Sequence, residues 1–159
     1  MNIDIICVGK IKEKYLKDAI EEYSKRLSRY CKLKFIELND EKTIDGQSLV
    51  LDEKVKEIEG ERIIKVIKEK AFVVCCDLNG KELDSIQFSE FIDDLGVKGI
   101  SDIQFIIGGS LGLSKAVLNK SDYKICFSKM TFPHQLMRVI LLEQIYRGYR
   151  IMKNEPYHK

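Results

Sequence analysis

Short runs of apolar residues alternate along the chain with longer segments in which apolar residues recur every three or four positions. The short runs predict strands and the longer segments predict helices. Strands are expected at residues 3–8, 33–38, 71–76, 103–107 and 124–127. Because strands and helices alternate, we expect an α/β fold, a mainly parallel sheet with helices on both faces. Its 159 residues suit one domain, residues 1–159.

The expected helices differ in how clearly the sequence defines them. They are predicted at 14–29, 51–66, about 85–95, 114–118 and from Pro133 to about Met152. Gly60 weakens the second helix, since Gly costs about 1 kcal/mol against Ala. The last helix is apolar on nearly all sides, and such a helix must be covered on more than one side. In a chain of this size a second copy is the expected cover, so we predict a homodimer.

Local signals mark the ends of the third strand and the third helix. Asn79-Gly80 is a turn dipeptide and is expected to end the strand. Asp84 or Ser85 is expected to cap the helix, and Gly96 to end it.

Composition excludes several classes of protein. The five cysteines are an odd number without a Cys-x-x-Cys spacing, so we expect reduced core residues. The two histidines have no ligand spacing, and no structural metal is expected. No apolar stretch approaches the roughly 20 residues of a membrane span, and no basic segment opens the chain as in a signal peptide. We therefore expect a cytoplasmic protein that does not enter membranes.

Charge is distributed unevenly along the chain. Residues 1–36 carry a net +4, residues 37–102 a net −8 and residues 103–159 a net +6. Both ends are basic around an acidic middle, which is typical of a protein that meets an anionic partner with its two ends. A solvated charge pattern without a partner explains the same numbers equally well.

Four features could carry chemistry. The glycines 108, 109 and 112 follow the fourth strand and indicate a ligand loop or a tight turn. Residues 127–135 join hydroxyls, apolar rings and His134 at a helix start. From spacing alone, His134 reads first as a residue of the helix's first turn that bonds nearby backbone, and second as part of a ligand site. Glu143 and Arg147 have the spacing of a helical ion pair. The tail Tyr157-His158-Lys159 could stack on a base, handle a proton and meet a phosphate, or it could be frayed.

The motifs together resemble the ribosomal RNA large subunit methyltransferase H family, of the SPOUT class. The resemblance rests on FIIGGSLGL at 105–113, FSKMTFPHQ at 127–135, YR at 146–147 and PYHK at 156–159. The opening VGKIK at 8–12 and KY at 14–15 are similar as well. Length and order agree from end to end.

This resemblance implies a C-terminal trefoil knot, a homodimer formed through it, and methylation of N3 of a pseudouridine in helix 69 of 23S rRNA on assembled ribosomes. It implies S-adenosylmethionine as methyl donor and no metal. The implied cofactor contacts are Cys76, Gly108, Phe127, Ser128, Lys129, Met130, Thr131 and Phe132. Position 76 departs from the family, which commonly has Leu there. A backbone contact would survive that change, whereas packing against the adenine would alter.

The family also implies roles for the polar residues. Arg147, Tyr157 and Lys159 are expected to position RNA, and His158 is the candidate to take the N3 proton. His134 is expected to orient the cofactor loop or the substrate. In a dimer, the tail of one subunit could complete the site of the other.

Two other readings remain open. A non-catalytic α/β module of flavodoxin-like or receiver-like type would bind a cofactor or phosphate, although a receiver needs acidic residues where Cys7-Val8-Gly9-Lys10 stands. A ribosome-assembly factor that has lost its activity would retain the fold without the reaction.

Overall fold

Five parallel strands form the centre of the computed structural model, which describes residues 1–159. They lie in the order β2-β1-β4-β3-β5, and every adjacent pair is parallel. The strands are β1 (Asn2–Val8), β2 (Lys32–Leu38), β3 (Phe72–Glu82), β4 (Asp102–Ile107) and β5 (Tyr123–Cys126). The predicted parallel α/β sheet is confirmed.

Helices cover both faces of this sheet, as predicted. They are α1 (Lys14–Leu27), α2 (Leu49–Val66), α3 (Ser85–Val97), α4 (Lys115–Lys120) and α5 (His134–Met152). Helices α1, α3 and α5 share one buried cluster with the sheet, and α2 and α4 share the other. Because side chains alternate along a strand, Ile5 of β1 enters the first cluster and Ile6 the second. None of the five helices has both the length and the apolar character needed to cross a membrane.

The third strand is longer than its sequence predicts, and the prediction that Asn79-Gly80 ends it is wrong. Cys76 and Lys81 both lie opposite Ile125 of β5. Residues 77–80 are therefore an insertion within the strand, comparable to a bulge, after which pairing with β5 resumes. A turn dipeptide predicts a local bend of the backbone. It does not indicate whether the chain pairs with the sheet again after that bend.

The third helix ends later than predicted. Gly96 lies inside α3, and the residue with a left-handed backbone is Gly99, at φ +78°. The Ile100 N–H donates to the Leu95 carbonyl at 3.0 Å, and the Gly99 N–H donates to the Gly96 carbonyl at 3.0 Å. These bonds form a Schellman motif, which needs its glycine just beyond the helix. Gly96 as the stop was therefore wrong.

Helix α5 passes between α1 and α3 across one face of the sheet. Leu141, Leu142 and Ile145 are completely buried, and Leu136 is the most exposed large apolar side chain of this helix, at 37%. One chain thus covers most of the apolar surface that we had assigned to a second copy. The homodimer and the trefoil knot stay predictions.

Gly60 lies within an unbroken α2, at the point where this helix meets the start of α4. A Cβ at position 60 would overlap the Ser114 hydroxyl and lie 3.3 Å from a Val117 methyl. The glycine that weakens the helix is therefore the residue that permits this close packing.

All five cysteines are free, and four of them are buried. Burial raises the pKa of Cys7 to about 12 and the pKa values of Cys31 and Cys75 to about 11, so these thiols remain protonated near neutral pH. No group of three or more His, Cys, Asp or Glu side chains is arranged to hold a metal ion.

Candidate functional site

A cavity of about 580 Å³ opens at the carboxyl ends of β4 and β5, beside residues 76–78 of β3. This is the edge at which parallel α/β sheets bind ligands, and the volume suits a small-molecule site. Three stretches of chain line it, within residues 76–78, 107–112 and 125–134, together with Met137 of α5. The insertion in β3 thus supplies one wall.

Seven of the eight predicted cofactor contacts line this cavity. They are Cys76, Gly108, Phe127, Ser128, Met130, Thr131 and Phe132. Lys129 does not: its side chain is 88% exposed, with the ammonium 4.0 Å from the Glu82 carboxylate. The structure brings the seven residues together from three elements, while their contact with a cofactor stays a prediction.

The glycine loop after β4 folds tightly back on itself. Gly109 and Gly112 form an isolated bridge, and the Gly112 N–H donates to the Gly109 carbonyl at 3.1 Å. A Cβ at Gly108 would lie 2.8 Å from the backbone carbon of Gly112. Because backbone cannot move aside as a flexible side chain can, only glycine fits at 108. The loop therefore offers main-chain atoms to a ligand at close range.

Glu59 of α2 lies directly behind this loop. Its carboxylate accepts a hydrogen bond from the Glu41 N–H at 3.0 Å, and its second oxygen would be 2.9 Å from a Cβ at Gly109. The side chain is buried, and burial raises its pKa above the usual value. Glu59 thus bonds to the loop after β2 and packs against the glycine loop. Nothing in the sequence separated it from the other acidic residues of α2.

His134 forms part of the cavity wall at the start of α5. Its Nε2 would lie 3.6 Å from a Cβ at Gly9, so the ring packs against the end of β1. Burial lowers the pKa of His134, and the nearby Arg138 lowers it further, while Asp40 opposes them. The imidazole is therefore held neutral at pH 7, consistent with an orienting role.

Arg138, one turn further along α5, is completely buried. It donates to the carbonyls of Val8 and Gly9, at 3.0 and 2.8 Å, and to the Glu37 carboxylate at 2.8 Å. These bonds compensate the burial of its charge and fix the start of α5 against β1 and β2. Sequence reasoning missed this residue, although a lone arginine between Met137 and Val139 was a signal.

The C-terminal tail packs onto the second half of α5. Arg147 and Glu143 form the predicted ion pair, at 2.6 Å. The Tyr157 hydroxyl donates to the same Glu143 oxygen at 3.1 Å, and the Nη1 of Arg147 lies 3.3 Å from Nδ1 of His158. Burial raises the pKa of Tyr157. Lys159 remains exposed. Three of the four predicted RNA-handling and proton-handling residues thus form one cluster.

The cavity and this cluster are far apart within one chain. His134 and Arg147 are thirteen positions apart on α5 (134 to 147), which corresponds to about 20 Å along a helix that rises about 1.5 Å per residue. The structure of the single chain therefore does not unite the predicted cofactor contacts with the predicted RNA contacts.

Comparison with known proteins identifies relatives over the full length. The ribosomal RNA large subunit methyltransferase H of Clostridium tetani is 68% identical over 159 residues, covering 100% of both chains. The proteins of the same name from Clostridium beijerinckii and Clostridium acetobutylicum are 65% and 63% identical, also over 100% of both chains.

A solved structure described as a probable methylase family protein from Haemophilus influenzae Rd KW20 has a similar fold. The TM-score is 0.55, with 15% identity over 99% of this chain and 70% of that chain. Residues 1–158 match the family described as predicted SPOUT methyltransferase. The resemblance found in the motifs is confirmed, and the chain belongs to the SPOUT methyltransferase family.

Proposed function

We propose that this protein transfers a methyl group from S-adenosylmethionine to N3 of a pseudouridine in helix 69 of 23S rRNA, on assembled cytoplasmic ribosomes. The observation that supports it most is the 62–68% identity, end to end, to relatives named ribosomal RNA large subunit methyltransferase H. The nucleotide and the methyl donor follow from the resemblance of the motifs to that family.

The cavity fits S-adenosylmethionine in size and in lining. Phe127, Phe132 and Met137 offer apolar contacts, and the main chain at Gly108 can be approached closely. When bound, S-adenosylmethionine supplies a methyl group that its sulfonium centre has already activated. What the protein must add is alignment of the acceptor nitrogen, exclusion of water and removal of the N3 proton.

The tail cluster has the groups for the RNA part of this task. We assign RNA positioning to Arg147, Tyr157 and Lys159, and removal of the proton to His158. Arg147 can only donate, so in the contact of 3.3 Å the His158 Nδ1 is the acceptor and a neutral ring carries its proton on Nε2. Acting as a base therefore requires His158 to leave Arg147 when RNA binds.

A homodimer would unite the two halves of the site. In a two-fold arrangement, residue i of one protomer contacts residue j of its partner and the reverse. If the α5 helices meet antiparallel, the tail of each protomer comes near the cavity of the other, which removes the separation of about 20 Å within one chain. We propose that each complete site is built from two protomers.

The decisive experiment measures transfer of radiolabelled methyl groups from S-adenosylmethionine to intact 70S ribosomes from a strain that lacks this enzyme. Free 23S rRNA and protein alone are the controls. Label in the 23S rRNA of intact ribosomes, at the helix 69 pseudouridine, is the expected result. Cofactor binding without label on any RNA would contradict the proposal and favour an inactive assembly factor.

A further inference from the structure

The loop between β1 and α1 lies against the wall of the cavity. It begins at Gly9, whose backbone packs on the His134 ring, and His134 lines the cavity. Consecutive Cα atoms are 3.8 Å apart, so Lys10 and Lys12 follow within about 12 Å of this wall. Both side chains are exposed to solvent.

This loop is held in place from both sides. Arg138 of α5 donates to the carbonyls of Val8 and Gly9, and the Gly9 N–H donates to the Leu38 carbonyl at 2.8 Å. Ile11, only 7% exposed, points into the protein between the two lysines. The two exposed lysines therefore project from a fixed backbone rather than from a mobile segment.

The cations of this loop have no partner within the chain. Neither Lys10 nor Lys12 has a carboxylate within 4.0 Å, in contrast to the next lysine, Lys14, which pairs with Asp18 at 2.6 Å. Tyr15, in the first turn of α1, is 70% exposed and its ring stacks on no other aromatic ring. Unpaired cations beside a free aromatic ring are the composition of surfaces that bind single-stranded nucleic acid.

We propose that Lys10, Lys12 and Tyr15 form an RNA-docking surface at the mouth of the cavity. The two ammonium groups contact phosphates, and the Tyr15 ring stacks on an unpaired base next to the target nucleotide. The inference rests on the proposed function, because it assumes that the anionic partner is the rRNA substrate. It adds a contact region on the N-terminal side of the cavity to the one assigned to the C-terminal tail.

The test compares full-length variants for binding to 70S ribosomes that lack the modification, by co-sedimentation over a range of salt concentrations. The variants are Lys10→Ala with Lys12→Ala, and Tyr15→Ala. The matched control is Lys70→Ala with Lys98→Ala, which removes the same charge. These two lysines are exposed and precede β3 and β4, so they lie towards the amino ends of the strands, away from the cavity. Binding of S-adenosylmethionine is measured for each variant as a check on folding.

Loss of two phosphate contacts should reduce the slope of log affinity against log salt by about 1.4 to 2. Tyr15→Ala should weaken binding at least about fivefold through lost stacking. The control should bind like the original protein, and all variants should bind the cofactor normally. Equal ribosome affinity of the loop variants and the control would overturn the inference, even if methylation proceeds. Binding that depends on the loop, without methylation by the original protein, would instead overturn the proposed function alone.

Discussion

The guanidinium carbon of Arg147 lies 4.7 Å from the centre of the Tyr157 ring, directly over its face. The Tyr157 hydroxyl donates to Glu143, the residue that also pairs with Arg147. The three side chains thus hold one another, and the last residues of the chain have a defined position on α5. Their order is a property of this cluster, because chain termini without such contacts are usually frayed.

Tyr157→Phe and Tyr157→Ala separate the two contacts of this ring. Phe keeps the ring beneath Arg147 and loses the hydroxyl bond to the Glu143 carboxylate, worth about 1.5–3 kcal/mol because the acceptor is charged. We expect methyl transfer to ribosomes, as kcat/KM, to fall by about 10- to 150-fold with Phe and further with Ala. Steady-state kinetics with saturating cofactor measures both. Equal losses in the two variants would mean that the ring over Arg147 contributes nothing.

Gly108→Ala and Gly109→Ala place the same methyl group at neighbouring positions of the glycine loop. At 108 it meets the Gly112 backbone at 2.8 Å, whereas at 109 the nearest atom is the end of the flexible Glu59 side chain at 2.9 Å. We expect Gly108→Ala to weaken S-adenosylmethionine binding by about tenfold or more, the factor for about 1.4 kcal/mol, and Gly109→Ala to weaken it less.

Calorimetric titration of the cofactor, with thermal unfolding to verify the fold, measures this difference. If Gly109→Ala were the more damaging change, the close approach of Gly108 to Gly112 would not be what shapes the site.

The lowered pKa of His134 predicts how stability depends on pH. The ordinary pKa is 6.5, and burial lowers it in the folded state. As the pH falls through 6.5, residue 134 therefore becomes protonated in the unfolded chain while it is still largely neutral in the folded one. Because the unfolded state then binds more protons, the free energy of unfolding decreases until the pH reaches the lower folded-state pKa. The His134→Gln variant lacks this contribution. Urea unfolding at pH 7.5 and pH 5.5 should show a larger loss for the original protein than for the variant, and equal losses would contradict the burial of the ring.

The sequence was sufficient for those features that depend on burial along a single element. The strands β1 and β4 are buried on both faces, so each reads as an apolar run that a single buried polar residue interrupts, Asp4 in β1 and Gln104 in β4. In a parallel sheet the carboxyl ends of all strands lie at the same edge, whatever the order of the strands. The glycine loop after β4 and residues 127–132 after β5 could therefore be expected to share a site.

Features that depend on contacts between distant segments were not predictable. The rejoining of β3 with β5 depends on Ile125, and the role of Arg138 depends on two carbonyls about 130 positions earlier in the chain. Glu59 acquires its place behind Gly109 only when α2 packs on the face of the sheet. The local pattern of apolar and polar residues does not indicate any of these partners.

A site shared between protomers can be tested by combining two inactive chains. His158→Ala should reduce turnover by about 10²–10⁴ if His158 takes the proton. Gly108→Ala should leave its cavity mostly empty when the cofactor concentration is kept well below the weakened Kd, and the assay uses such a concentration. In a heterodimer of the two variants, purified through two different tags, a shared site combines the intact cavity of one protomer with the intact tail of the other. We then expect about half the activity of the original dimer, because one of its two sites is complete. If each site belonged to a single chain, the heterodimer would be as inactive as its parents.

The control is a heterodimer in which one chain carries both substitutions and the other carries none. If sites are shared, both of its sites are damaged and it should be inactive. If each site belongs to a single chain, the unsubstituted chain keeps an intact site and about half the activity should remain.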